Sequence, residues 1–127
     1  MALNDIVSKE DVMNIVWNVF NPQRGENVIF LNDMPEKEED INPDFIARRQ
    51  MVKDWFDVFS EEAGKHGFFV EPIITYLPTG KSGAPLPEKA VQGSCTINLL
   101  QKLEALAEKD IVLAITKYSA TAALFPY

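Results

Sequence analysis

Apolar residues recur along this chain in two rhythms, one helical and one strand-like. Val12, Ile15, Val16, Val19 and Phe20 fall at helical spacing, and Met13 and Trp17 widen the stripe. The spacing predicts a helix over 8–20. Ser8 is placed to cap it, with Asp11 three positions on, and Asn21-Pro22 stops it. Asn27 to Leu31 then reads as a continuous apolar run ending at Asn32-Asp33. Such a run marks a strand buried on both faces. Asn42-Pro43 opens a second helix as cap and first helical residue, with Phe45, Ile46, Met51, Val52, Trp55, Phe56 and Phe59 along a broad apolar face. Gly64 and Gly67 offer places for it to end.

A second strand is predicted over 68–76, interrupted at Pro72, which implies an edge position or a bulge. Residues 77–89 read as a loop because of Pro78, Gly80, Gly83, Pro85 and Pro87. Ile97, Leu99, Leu100, Leu103 and Leu106 predict a third helix over 96–109. A last buried strand, Ile111 to Ile115, runs into a polar turn from Thr116 to Thr121. The order is α-β-α-β-α-β. It predicts one small three-layer α/β domain over residues 1–127 with a mostly parallel, Rossmann-like sheet.

Composition narrows the function classes. The formal charge of −7 lacks the clustered Lys and Arg of a nucleic-acid or anionic-membrane footprint, so neither partner is expected. No apolar run is long enough to span a bilayer. A single cysteine, Cys95, excludes an internal disulfide framework and points to a cytoplasmic location. With one cysteine and one histidine, His66, a mainly imidazole or thiolate metal site is impossible in one chain. The acidic run Glu36–Asp40 reads as a solvated loop, since consecutive carboxylates cannot all turn toward one ion.

Three motifs offer chemistry and fail on context. Thr79-Gly80-Lys81-Ser82 resembles the end of a phosphate-binding loop, but Thr75 stands where its first glycine belongs. The prolines that follow also block the helix that would cradle phosphate. His66 lies at a helix C-terminus, a capping position. Cys95 has no paired base in sight, and Ser119 sits in no nucleophile elbow. What remains is the rim formed by the carboxyl ends of the strands, where α/β folds bind ligands. Its candidate ligand-binding residues are Asn32, Asp33, Thr116, Tyr118, Ser119 and Thr121, and no catalytic residue is assigned.

Asn27–Asp33, the Leu77-Pro78 loop with Gly83-Ala84-Pro85-Leu86-Pro87, and Thr116-Lys117-Tyr118-Ser119-Ala120-Thr121-Ala122 together resemble the N-terminal domain of the aminopeptidase T-type metallopeptidases and their uncharacterised relatives. The resemblance covers roughly residues 8–124. It implies a non-catalytic N-terminal α/β domain of a longer protein, contributing cleft walls or dimer contacts and inactive as a peptidase alone. The implied partners are a C-terminal domain of the same protein and a second copy in a homodimer. The divalent metal and its ligands would belong to that C-terminal domain, since nothing here matches the family's metal-binding positions. The alternative from the residues alone is a free-standing cytoplasmic module that binds a small molecule or another protein.

Overall fold

A computed structural model describes residues 9–81, 84–107 and 109–116. The first helix, α1 (Lys9–Ile15), widens into a π-helical turn over Val16–Phe20. Asn21 ends it in the left-handed region at φ 43°, donating its N–H to the Val16 carbonyl at 2.7 Å. Strand β1 (Asn27–Asp33) follows, buried along almost its whole length. A single 3-10 turn at Glu38–Asp40 leads to α2 (Pro43–His66). The Asn42 side chain caps α2 by accepting from the Phe45 N–H at 3.1 Å. Gly67 closes it at φ 79°, a conformation few other residues adopt cheaply.

Past α2 the structure departs from simple alternation. Strands β2 (Phe69–Val70) and β3 (Ile74–Tyr76) both pair in parallel with β1, which β6 (Asp110–Ala114) flanks in parallel on its other side. Asn27 and Val28 face Phe69 and Val70, whereas Leu31 to Asp33 face Ile74 to Tyr76. One extra residue therefore lies between the two halves, around Pro72, which has no N–H to give. Pro72 marks a bulge, and β2 just before it is an edge strand that, among the described residues, pairs with β1 alone.

The expected three-layer, Rossmann-like α-β-α-β-α-β domain with a mostly parallel sheet is not what forms. The sheet is mixed. Strands β4 (Lys89–Gln92) and β5 (Cys95–Asn98) make an antiparallel hairpin that extends it past β3, where the sequence reading placed the end of a loop and the start of a helix. The remaining helix, α3, is only Leu99–Glu104, capped by the Asn98 side chain, which accepts from the Gln101 N–H at 2.9 Å. Gly93 makes the hairpin turn at φ 61°, and a side chain there would lie 3.5 Å from Pro72.

Alternation along β1 divides the core in two. Val28 and Phe30 join Val12, Val16, Val52, Phe59 and Phe68 under α1 and α2. Ile29 and Leu31 join Ile74, Tyr76, Leu86, Ala90, Leu99 and Leu103 on the side of α3. Phe59 packs edge-on against both Phe30 and Phe20, with ring centres 5.3 and 6.3 Å apart. No helix among the described residues is long and apolar enough to cross a membrane.

Candidate functional site

The strand period that builds the core also splits the expected rim. Asn32 follows Val28 and Phe30 onto the α2 face, and Asp33 follows Ile29 and Leu31 onto the α3 face. The register repeats this across the sheet: Asn32 is opposite Thr75, and Asp33 is opposite Tyr76. Adjacent in sequence, Asn32 and Asp33 therefore cannot serve one ligand on one face. Thr116, just past β6, lies with Asp33 and Tyr76. Tyr118, Ser119 and Thr121 lie outside the described residues.

On the α3 face, Asp33 is 1% exposed and Tyr76 is 3% exposed. Burial pushes the Tyr76 phenol up to about 12, and the negative charge of Asp33 adds to the shift. Hydrogen bonding with Thr116 works in the opposite direction but does not overcome burial. The phenol is thus held protonated, able to donate and unable to act as a base. Sequence reasoning missed Tyr76. Its signal was available, since it ends a strand that pairs with β1.

On the α2 face the same strand ends open into a groove of about 470 Å³. Its floor is Val52, Phe56, Pro72 and Ile73, and Gly93 of the hairpin closes its far side. Polar groups enter at two places. Asn32 and Thr75 stand at the strand ends, and Arg49, Lys53 and Asp57 stand along α2. Asn32 is only 3% exposed, and its Oδ1 has no hydrogen-bond partner. A half-turn of the amide exchanges Oδ1 and Nδ2, so Asn32 can present either an acceptor or a donor to the groove. The volume and the balance of apolar floor to few polar groups are those of a small-molecule site.

The other candidates take structural roles. His66 stacks edge-on against Trp17 with ring centres 4.5 Å apart, and its Nε2 lies 4.0 Å from Glu62. Glu62 is 4% exposed and accepts from the Trp17 Nε1–H at 2.9 Å, which ties the π-turn to the end of α2. Cys95 is exposed on β5, the last strand of the hairpin. Glu71 joins the bulge to α3: it pairs with Lys102 at 2.6 Å and accepts from Gln92 at 2.7 Å and from Asn27. Burial disfavours its charge, but Lys102, Gln92 and Asn27 together outweigh burial and hold its carboxyl below the ordinary range. A second groove of about 500 Å³ lies at the opposite end of α2, around Arg24, Gly64 and Phe69, away from the carboxyl ends of the strands. Arg48 Nε and Nη2 and Trp55 Nε1 are also buried without a partner. They sit on the opposite flank of α2, roughly 120° round the helix from the groove.

Among the described residues no three His, Cys, Asp or Glu side chains converge to hold a metal. Comparison with protein-family models, with curated proteins and with solved structures found no match to this chain.

Proposed function

We propose that this chain is a binding module that holds a small molecule in the groove between α2 and the β3–β4 part of the sheet. The carrying observation is the Asn32 side chain, buried at the end of the central strand with its Oδ1 unpaired while it lines a groove of metabolite size. A buried orphan acceptor costs about 1–3 kcal/mol, a cost that a ligand's donor can recover. The site also lies at the carboxyl end of parallel strands, where α/β sheets most often bind ligands. The reading as a non-catalytic N-terminal domain of an aminopeptidase-like metalloprotein rests on the short sequence segments alone, and no contact in the fold adds to it.

A fragment screen on the full chain tests the binding reading by thermal shift and by amide chemical shifts. A ligand present at a hundred times its Kd should stabilise the fold by about 2.7 kcal/mol. Hits should move the resonances of Asn32, Ile73 and Thr75. Hits that instead gather around Tyr76 and Leu86 on the α3 face would remove the groove from consideration.

A further inference from the structure

The charges along the groove wall go further than its shape. The ion pairs of α2 gather in its C-terminal part, where Glu61 meets Lys9 at 3.1 Å and Lys65 at 3.5 Å; nearer the groove, Gln50 donates to Asp54 at 2.9 Å. Arg49 and Lys53, four residues apart on the flank that lines the groove, form no ion pair among the described residues. Side chains so spaced are neighbours on a helix, and two like charges there are mildly unfavourable. Asp57, one turn further on, pairs with neither. Arg49 and Lys53 thus stand side by side over an apolar floor in a chain of net charge −7. A guanidinium beside an ammonium matches a carboxylate, and the floor of Val52, Phe56, Pro72 and Ile73 matches a hydrocarbon body. Asn32 and Thr75 at the inner end can meet one further polar group or the end of the chain.

We infer that the ligand is an amphipathic monoanion, a medium-chain or aryl-substituted carboxylic acid, with its carboxylate on Arg49 and Lys53 and its apolar body along Phe56 and Ile73. This rests on the groove-binding reading and names the ligand class for that site. A polyanion such as a nucleoside triphosphate is disfavoured, because Asp57 stands on the same wall and no helix N-terminus among the described residues lines the groove.

The test titrates full-length protein with butanoate, hexanoate, octanoate and 3-phenylpropanoate, and with the primary amide of each. Amide chemical shifts and calorimetry report binding. Affinity should rise roughly fourfold for each methylene that becomes buried. Each carboxylate should bind about tenfold more tightly than its amide, a preference that falls as salt is added. Arg49→Gln with Lys53→Gln should abolish that preference while leaving amide binding within about twofold of wild type. Both side chains are exposed, so the double variant should keep the wild-type melting temperature. Carboxylates and amides that bind equally, with shifts at Asn32 and Ile73, would overturn the anionic class and leave the groove reading standing. No shift at groove residues with any probe at millimolar concentration would overturn both.

Discussion

Replacing Asn32 by leucine separates a residue kept for binding from one kept for folding. Leucine matches asparagine in shape and carries no polar atom. In the folded chain Asn32 is 3% exposed and its Oδ1 lacks a partner, so the wild type carries the desolvation of an unpaired acceptor, about 1–3 kcal/mol. The substitution removes that cost and adds apolar contact with Val52 and Phe56, which line the same groove. Misfit of the branched end against Thr75, its register partner, takes some of this back, by about 1 kcal/mol for a tight site. The expected net is a stabilisation of about 1–2 kcal/mol. For a chain of this size that raises Tm by about 3–5 °C per kcal/mol.

Urea unfolding followed by tryptophan fluorescence reads the change directly. The midpoint should move up with an unchanged m-value, which keeps the comparison within two states. Groove ligands should lose affinity in the same variant. More stability with less binding is the signature of a polar group retained for function. A loss of 1 kcal/mol or more in Asn32→Leu would refute the reasoning. It would mean that Oδ1 is satisfied in solution by a bound water and that the asparagine serves the fold.

Phe59→Ala, at a ring that is 0% exposed between Phe20 and Phe30, should cost about 3–5 kcal/mol, measured as a fall in urea midpoint. Trp17→Phe keeps most of the packing but takes away the donor to buried Glu62. It should cost about 1–3 kcal/mol, and a change under 0.3 kcal/mol would show that Lys65 alone satisfies that carboxylate. For Tyr76, the folded phenol at about 12 lies above its ordinary value near 10, so its contribution is complete below pH 10 and is lost as pH rises through 12. Wild type should therefore lose stability relative to Tyr76→Phe by at most about 1.4 kcal/mol per pH unit in that window. Parallel pH profiles for the two proteins would argue against the raised value.

The elements that could be read from the sequence are those whose signals are local. Asn42-Pro43 and Gly67 bracket α2 because capping chemistry is decided within one turn. The Asn27–Leu31 run stands out because a strand buried on both faces needs no polar alternation. The hairpin at 89–98 was obscured by competition between periods. Ile97, Leu99, Leu100 and Leu103 do fall at helical spacing, and Ile97 was absorbed into that stripe. In the fold Ile97 belongs to β5, opposite Ala90, and the helix begins only after Asn98. Gly93-Ser94 between two short segments was the signal for a two-residue turn. Asn32 and Asp33 were found as rim residues, but their separation onto opposite faces follows from the strand period and was open to inference. Arg49 and Lys53 could not be found, since nothing local says which flank of α2 overhangs the sheet.

The missed hairpin and the groove are one feature. In a strictly alternating α/β chain each added parallel strand brings a crossover helix, and that helix covers the face beside α2. Here the sheet grows past β3 by two antiparallel strands joined through Gly93-Ser94, and no helix is spent on the connection. The exposed Val91 on β4, which pairs with Thr75, shows how far the α2 face runs on uncovered. The N-terminal half of α2 is therefore left overhanging, with Arg49, Lys53 and Phe56 lining a groove whose other wall holds Pro72 and Gly93. The bulge and the turn are tied together, because Gly93 donates its N–H to the Ile73 carbonyl at 3.3 Å. A side chain at position 93 would be strained at φ 61°, so the turn at the groove's far wall favours a glycine there. The departure from parallel alternation that overturns the expected fold is also what leaves room for a ligand.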